Sequence, residues 1–386
     1  MKKNLILLAF LVFVAVGSFA QQSFRGLSET SSPKINSDNT VSFQLVAPKA
    51  SEVKLLGSWM PDNARSVSMT KDEAGAWNFT TEVLPADLYL YHFEIDGVRC
   101  NDPNNVYFVR DVASVFNIFI VGGGKAGLYK VSDVPHGTVA SRWYDSPTNK
   151  NTRRISIYTP AGYEKSKQKY PVLYLLHGMG GDEGAWLDLG RTAQIMDNLI
   201  AQGKAKPMIV VMTNGNMAQT AAPGESSLGF YKPSFRLPKT MDGSMEESFG
   251  DVIKFVETNY RAIAKKDARA IAGLSMGGFH SLHISRFHAN TFDYVGLFSP
   301  AINPRGDATS LVYKDIDKTL EVQKKNGYKL YWIAIGKTDF LYKEVEEYKA
   351  KLDKMGITYK YKESEGGHTW TNWRDYLSEF VPMLFR

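Results

Sequence analysis

The sequence predicts an α/β fold class in two parts, a smaller all-β sandwich followed by a larger doubly wound α/β domain. A chain of 386 residues is long for one domain and sufficient for two. Apolar and polar residues alternate, as in strands, between about residues 41 and 121. From about Val139 onward, continuous apolar runs alternate with helical stretches, a pattern typical of a mainly parallel sheet with helices on both faces.

The amino-terminal residues 1–20 have the pattern of a secretory signal peptide. Two lysines precede a short apolar run over residues 5–16, and the small residues Ser18 and Ala20 suit cleavage after Ala20. The apolar run is shorter than the roughly 18 to 20 residues that span a membrane. We therefore expect secretion to the periplasm or the exterior, with no membrane attachment after cleavage.

Composition excludes several other classes of protein. Cys100 is the only cysteine, so the chain cannot form an intramolecular disulfide. The formal net charge is +6, but the basic residues are scattered and form no stripe interleaved with aromatic residues. We expect no nucleic-acid partner, and the sequence does not determine the oligomeric state.

Residues 21–124 are the predicted sandwich, and residues 125–138 are the predicted linker. Turn signals such as Asp96-Gly97 separate the strand-like runs, and Gly122-Gly123-Gly124 marks a hinge before the linker. The predicted strands are Val41–Leu45, Val53–Leu56, Trp77–Thr81 and Tyr89–Ile95.

The sandwich also contains a series of aromatic and turn residues with recognisable spacing. They are Phe43, Leu45, Ala47 and Pro48, then Val53, Leu55 and Gly57 to Trp59, then Trp77, then Tyr89, Tyr91, Phe93, Asp96 and Gly97, and last Asp102 and Pro103. This series resembles the early-set, immunoglobulin-like domains related to family 48 carbohydrate-binding modules. Trp59 and Trp77 could stack on sugar rings or pack in the core, and for Trp77 we favour the core.

Residues 139–386 are the predicted doubly wound α/β domain. Its expected strands are Arg154–Thr159, Val172–Leu176, Met208–Met212, Ala270–Ala272, Val295–Phe298 and Lys329–Ile335, and its expected helices are Thr192–Gln202, Met245–Tyr260, Gly278–His288, Lys343–Met355 and Asn372–Phe385.

Residues 273–277, which read GLSMG, predict a catalytic nucleophile at Ser275. They lie between an apolar strand and a helix-like stretch. A strand, a Gly-x-Ser-x-Gly turn and a helix form a nucleophile elbow, which lifts the serine hydroxyl above the sheet. Glycine suits the positions two residues on either side because the tight turn brings them against neighbouring elements. The alternative is an ordinary strand-to-helix turn.

A serine nucleophile needs a histidine to take its proton, and the predicted base is His368. This histidine follows the flexible residues 365–367 and precedes the last helix. His280, His283 and His288 also follow Ser275, but they lie in or at the end of the helix that leads away from it.

The predicted acid is Asp339, because it follows a buried strand at the sheet edge where catalytic groups of open α/β sheets gather. The order serine, acid, histidine along the chain is then that of the α/β-hydrolases. Competing carboxylates, without a buried strand so well placed before them, are Asp293, Asp307, Asp315 and Asp317.

Two backbone amides are expected to form an oxyanion hole. One is that of Met276, directly after the nucleophile. The other comes from the glycine-rich loop over residues 177–181, where we assign Met179 first and Gly180 second.

Three motifs of the second domain together resemble carbohydrate esterase family one, the feruloyl and acetylxylan esterases. They are LLHGMGGxExxW at 175–186, AGLSMGG at 272–278 and GGHxxxxW at 366–373. The resemblance implies an α/β-hydrolase fold, a triad of Ser275, Asp339 and His368, and no metal or other cofactor. Trp370 occupies a position that varies in this family, which leaves the shape of the pocket open.

The long segment Asn214–Met245 shows little secondary structure and is expected to be functional. We predict that Phe230 and Tyr231 from this segment line an acyl pocket with Trp186 and Trp373. The alternative is that these aromatic residues pack the segment against the sheet.

The leading functional prediction is a serine esterase that acts on feruloyl (hydroxycinnamoyl) esters of arabinoxylan. The partner would be feruloylated or acetylated xylan or its oligosaccharides. An acetylxylan esterase, an acyltransferase of the same fold and a non-catalytic sugar-binding protein are the alternatives.

Overall fold

The computed structural model describes residues 31–61, 66–304 and 310–386. The predicted signal peptide and the competing acid Asp307 lie outside the described residues. Among the described residues, no helix has both the length and the apolar character that crossing a membrane requires.

The first domain is a β-sandwich of two antiparallel sheets. One sheet has the order β1-β2-β6-β5 and the other β4-β3-β7-β10-β9, with β8 paired to β7. Its strands are β1 (Lys34–Ile35), β2 (Val41–Val46), β3 (Val53–Gly57), β4 (Val67–Ser68), β5 (Thr70–Lys71), β6 (Ala76–Thr80), β7 (Leu88–Ile95), β8 (Val98–Cys100), β9 (Phe108–Asp111) and β10 (Ser114–Ile120).

Alternation of side chains explains why these strands form a sandwich. Val41, Phe43 and Leu45 of β2 are buried while the residues between them are half-buried, so one face of the strand packs on the opposite sheet. Tyr91 and Phe93 of β7 complete this core from the other sheet.

The two tryptophans considered for sugar stacking contribute to the same core. Trp77 is 7% exposed, and its indole nitrogen donates a 2.9 Å hydrogen bond to the Ala47 carbonyl. Trp59 is half-buried and stacks on Phe43 with a ring separation of 5.7 Å. The structure therefore favours the core-packing alternative for both side chains.

The segment expected to be a linker packs against the second domain. A short 3₁₀ helix covers Gly124–Leu128, and Tyr129 after it is fully buried. The Tyr129 hydroxyl donates to Asp375 at 2.6 Å, and the side chain of Asn198 donates to backbone carbonyls of this segment. The two domains are thus joined by a docked connection.

The second domain contains an eight-stranded sheet in the order β11-β12-β14-β13-β15-β16-β17-β18. The first three strands of this order pair antiparallel, and the rest pair parallel. The strands are β11 (Thr138–Ser146), β12 (Asn151–Thr159), β13 (Val172–Leu176), β14 (Ile209–Thr213), β15 (Arg269–Leu274), β16 (Tyr294–Phe298), β17 (Leu330–Gly336) and β18 (Lys360–Ser364).

Helices cover both faces of this sheet, which confirms the predicted doubly wound α/β class. Residues of α3, α4, α5 and α6 pack on one face, and residues of α1, α2 and α7 pack on the other. The helices are α1 (Ala185–Asp188), α2 (Thr192–Ala201), α3 (Ser244–Asn259), α4 (Met276–Phe287), α5 (Ile316–Asn326), α6 (Tyr342–Lys354) and α7 (Trp370–Phe380).

Besides the single-turn helix α1, the sequence prediction lacks the strand β11 and the helix α5. The edge strand β11 is mostly exposed and lacks the apolar run of a central strand. Only Leu320 and Gln323 of α5 are buried, so the helix carries a weak apolar stripe. Both elements lie at the surface, where the pattern that marks a buried element is lost.

Candidate active site

Ser275 occupies a sharp turn between β15 and α4. Its backbone angles are φ 52° and ψ −114°, a conformation that L-residues rarely adopt. The serine side chain is half-buried and faces a cavity at the carboxyl edge of the parallel strands.

The flanking glycines are required by close backbone contacts. A β carbon on Gly273 would lie 2.4 Å from the carbonyl oxygen of Gly277. A β carbon on Gly277 would lie 2.2 Å from the Leu176 carbonyl oxygen, and one on Gly278 would lie 2.7 Å from the Pro300 side chain. These distances are far below van der Waals contact, so side chains at these positions would force the turn apart.

His368 and Asp339 come together at the same edge, from the loops that follow β18 and β17. The His368 Nδ1 lies 3.0 Å from Asp339 Oδ1 and 2.9 Å from Oδ2. The carboxylate can only accept, so this contact places the neutral ring's proton on Nδ1 and leaves Nε2 free to accept a proton. Asp339 also accepts a 2.9 Å hydrogen bond from the Leu341 amide, which fixes the carboxylate.

Ser275 and His368 line one cavity of about 930 Å³. No hydrogen bond joins Ser275 and His368, both of which the structure describes. Catalytic hydrogen bonds are often long in ligand-free enzymes and shorten when substrate binds. The arrangement can therefore support proton transfer from the serine to the imidazole once the two side chains come within hydrogen-bonding distance.

The glycine-rich loop after β13 reaches the same cavity. Gly178, Met179 and Gly181 line it, whereas Gly180, with φ +79°, lies under the side chain of Val112. Among the described residues, the amides of Met179 and Met276 donate no hydrogen bond. Neither amide is therefore committed to a protein acceptor, and Met179 lies in the cavity lining.

His177 holds the beginning of this loop. Its Nδ1 lies 2.7 Å from the Gly178 carbonyl, and its Nε2 accepts a 2.8 Å hydrogen bond from the Gly215 amide. Burial lowers the pKa of His177 to about 4, and the Gly178 carbonyl opposes this shift. The ring is therefore neutral at pH 7 and serves as a fixed brace between two loops.

Of the four predicted substrate contacts, the structure brings only Trp373 to the cavity, where its ring lies 4.8 Å from that of His368. Trp186 is 1% exposed, and its indole nitrogen donates to the Leu176 carbonyl. Phe230 is 99% exposed, and Tyr231 also lies outside the cavity lining. The expectation of substrate contact is corrected for these three residues: Trp186 fills the core, and the long segment turns Phe235 to the cavity instead.

Sequence reasoning missed one wall of the cavity entirely. Leu88 and Leu90 of β7 and residues 110–112 of the β9–β10 hairpin line it from the first domain. The hairpin loop contains neither glycine nor asparagine, so the sequence has no turn signal at this position. Trp370 and Phe340 complete the aromatic part of the lining.

Among the residues that the structure describes, no group of three or more His, Cys, Asp and Glu side chains is arranged to hold a metal ion.

Comparison with protein families confirms both resemblances. Residues 146–384 match the family model described as "Putative esterase", and residues 30–111 match carbohydrate-binding module 48, the isoamylase N-terminal domain.

The chain is similar in sequence to several proteins described as esterases. The chain is 31% identical over 272 residues to an endo-1,4-beta-xylanase/feruloyl esterase of Xylanibacter ruminicola, covering 69% of this chain and 36% of that protein. It is 26% identical to an acetyl esterase of Caldicellulosiruptor saccharolyticus, covering 61% of this chain and 93% of the relative. The chain thus spans about a third of the length of the first relative and nearly all of the second.

A solved CE1 ferulic acid esterase from Anaeromyces mucronatus has a similar structure. The TM-score is 0.53 at 25% sequence identity, and the match covers 66% of this chain and 93% of that chain.

Proposed function

This chain belongs to the esterase family, and from that premise we propose that it is a serine esterase acting on ester-linked acyl groups of plant cell-wall polysaccharide. One observation carries the proposal. Ser275, at a strained strand-to-helix turn, lines the same cavity as His368, which is hydrogen-bonded to Asp339. Nucleophile, base and acid are the parts that acyl transfer through a serine requires.

In the proposed reaction, Ser275 Oγ attacks the ester carbonyl carbon and His368 Nε2 takes its proton. The Asp339 carboxylate stabilises the resulting imidazolium through Nδ1. The amides of Met179 and Met276 donate to the oxygen that becomes negatively charged. His368 then gives its proton to the leaving alcohol, which departs and leaves an acyl group on Ser275.

Water completes the cycle by the same route. His368 removes a proton from the water as the water oxygen attacks the acyl carbon, and returns it to Ser275 Oγ when the carbon–oxygen bond breaks. The products are the free acid and the regenerated serine.

For the acyl group we infer a feruloyl or related hydroxycinnamoyl ester of arabinoxylan. The cavity that His368 lines has four aromatic side chains in its wall, Phe235, Phe340, Trp370 and Trp373, and flat aromatic walls suit a planar aromatic acyl group. The resemblance to a xylanase/feruloyl esterase supports the same choice.

Acetyl esters are the second candidate, because the chain matches nearly the full length of an acetyl esterase. Comparing initial rates of ferulate and acetate release from the same arabinoxylan separates the two. Ferulate release at the higher kcat/KM supports the first proposal, and acetate release without ferulate release supports the second.

The nucleophile is tested with Ser275→Ala. We expect hydrolysis of p-nitrophenyl acetate to fall by about 10⁴-fold or more, as in other serine triads. A fluorophosphonate should label Ser275 in the wild-type protein. Ser285→Ala, near the end of the helix α4 that follows Ser275, is the matched control and should keep wild-type turnover. A Ser275→Ala protein with wild-type turnover would remove the proposal.

The amino-terminal pattern of residues 1–20 supports secretion as part of the same proposal. The exported protein should then begin at Gln21, which amino-terminal sequencing would establish.

A further inference from the structure

The β9–β10 hairpin of the first domain is joined directly to the glycine-rich loop of the second. The Arg110 guanidinium donates one hydrogen bond to the Asp182 carboxylate and another, of 2.9 Å, to the Val112 carbonyl. One side chain therefore ties the tip of the hairpin to the residue that directly follows Gly181.

The Asp182 carboxylate is buried and therefore needs a cationic partner. The residue is 3% exposed, its Oδ1 accepts from the Gly184 amide at 3.0 Å, and its carbonyl accepts from the Ala185 amide at 3.1 Å. It is thus the joint at which the glycine-rich loop turns into α1. A buried carboxylate that loses its cationic partner is strongly unfavourable, so the position of this joint depends on Arg110.

Val112 makes the second contact between the hairpin and the loop. A β carbon on Gly180 would lie 2.7 Å from Val112 Cγ2, so the valine side chain fills the space above this glycine. Gly180 directly follows Met179, which lines the cavity.

The backbone of Val112 is strained. Asp111 pairs with Ser114, so Val112 and Ala113 form a two-residue hairpin loop, and Val112 has φ 51°. The first position of such a loop favours glycine, and a β-branched residue there is an outlier. Strain of this kind persists where surrounding structure holds it, often at functional sites.

The opposite side of the loop is held by the second domain itself. The Asn216 side-chain amide donates to the Gly181 carbonyl at 2.6 Å, and His177 braces Gly178. The loop that carries the Met179 amide is therefore fixed from two sides, and one of them belongs to the first domain.

We propose that Arg110 and Val112 are positioning residues for ester hydrolysis, because they fix the loop that presents the Met179 amide to the developing oxyanion. The first domain then completes the active site in addition to any contact with sugar. This inference rests on the proposed serine esterase function.

The test uses the full chain with p-nitrophenyl acetate, a small ester. For Arg110→Met we expect kcat to fall about 10- to 100-fold with little change in KM, since a misplaced oxyanion donor acts on the transition state. Arg110→Lys should recover part of kcat. Arg99→Met is the matched control, because Arg99 contacts the other strand of the same hairpin, donating to the Val115 carbonyl at 3.0 Å.

Val112→Gly separates positioning from folding. Glycine relieves the strained φ, so the thermal midpoint of unfolding should stay level or rise while kcat falls by about 10-fold. Lys150→Gly is the control, because Lys150 has φ 54° in the exposed β11–β12 turn and its replacement should leave kcat unchanged.

The outcomes distinguish the two proposals. Wild-type kcat in both Arg110→Met and Val112→Gly overturns the positioning role while leaving the esterase proposal intact. If Arg110→Met does not fold, Val112→Gly decides alone. Absence of Ser275-dependent turnover in the wild-type protein overturns both proposals together.

Discussion

His368 Nδ1 lies within 3.0 Å of both carboxylate oxygens of Asp339, on the side of the imidazole away from the proposed proton transfer. An aspartate in this position fixes the tautomer of the ring and stabilises its cation. Both effects depend on the negative charge and the acceptor character of the carboxylate.

Asp339→Asn should therefore lower kcat for p-nitrophenyl acetate by about 10⁴-fold, because the amide favours the wrong tautomer. Unfolding by guanidinium should show that the variant is folded. Asp317→Asn is the control, since Asp317 was a competing acid and pairs with Lys351 at the surface. Full activity of Asp339→Asn would argue against this residue as the acid.

Steric crowding at the elbow gives a prediction about stability. Gly277→Ala places a methyl group against the Leu176 and His177 carbonyls, so we expect the free energy of unfolding to fall by about 2 to 3 kcal/mol. Gly127→Ala meets nothing within 4 Å and should stay near the wild-type value. Equal urea midpoints for the two variants would contradict the steric explanation.

The elbow could be predicted from sequence because its geometry restricts the residue types that fit. Gly273 and Gly277 are separated from Leu176 and from each other by distances that only glycine tolerates. The order of Ser275, Asp339 and His368 also followed from sequence, because each comes after a buried strand or directly before the last helix. Patterns that depend only on residues close together in sequence can be detected in one amino-acid sequence.

The cavity wall could not be predicted in the same way. Phe230 and Tyr231 lie in an irregular segment, where no period tells which side chains face the protein, and Phe235 lines the cavity in their place. Arg110 contacts Asp182 across a domain interface, and nothing in the local sequence encodes a partner 72 residues away.

A buried ion pair also joins the domains. Arg374 of α7 donates to Asp87 Oδ1 and to the Leu88 carbonyl, both at 2.9 Å, and both charged side chains are buried. Arg374→Met should lower the free energy of unfolding by about 3 to 5 kcal/mol, because it leaves a buried carboxylate without this partner.

Calorimetry tests this interface. Adding Asp87→Asn to Arg374→Met should recover part of the loss. Glu379→Gln, which removes an exposed ion pair from the same helix, should change stability by less than about 1 kcal/mol. A wild-type unfolding profile for Arg374→Met would show that the ion pair does not hold the domains together.

The lowered pKa of His177 predicts that the folded protein loses stability in acid. The unfolded chain binds a proton at this histidine below pH 6.5, whereas the folded chain does not until about pH 4. Stability should therefore fall as the pH decreases from 6.5 to 4, with His177 contributing up to about 3 kcal/mol.

The contribution of this residue is measured with His177→Gln, which keeps an acceptor for the Gly215 amide but does not titrate. The pKa of half-buried His92 is also lowered to about 4, and burial lowers the pKa of His283 well below 6.5. The wild-type slope is therefore a sum over several histidines, and the difference between the two proteins isolates His177. We expect the variant to lose stability less steeply between pH 6.5 and 4. Parallel curves would mean that His177 is protonated without cost.

The aromatic lining predicts discrimination between acyl groups. Trp370 lines the cavity and packs at right angles to Trp373, 5.2 Å away, which in turn contacts His368. If the planar acyl group lies against these rings, Trp370→Ala should lower kcat/KM for methyl ferulate about 10-fold more than for p-nitrophenyl acetate. The acetate rate accounts for any general disturbance of His368.

Phe230→Ala, which removes a fully exposed ring outside the cavity, should leave the ratio of the two rates unchanged. An equal loss on both substrates would show that Trp370 supports His368 without contacting the acyl group.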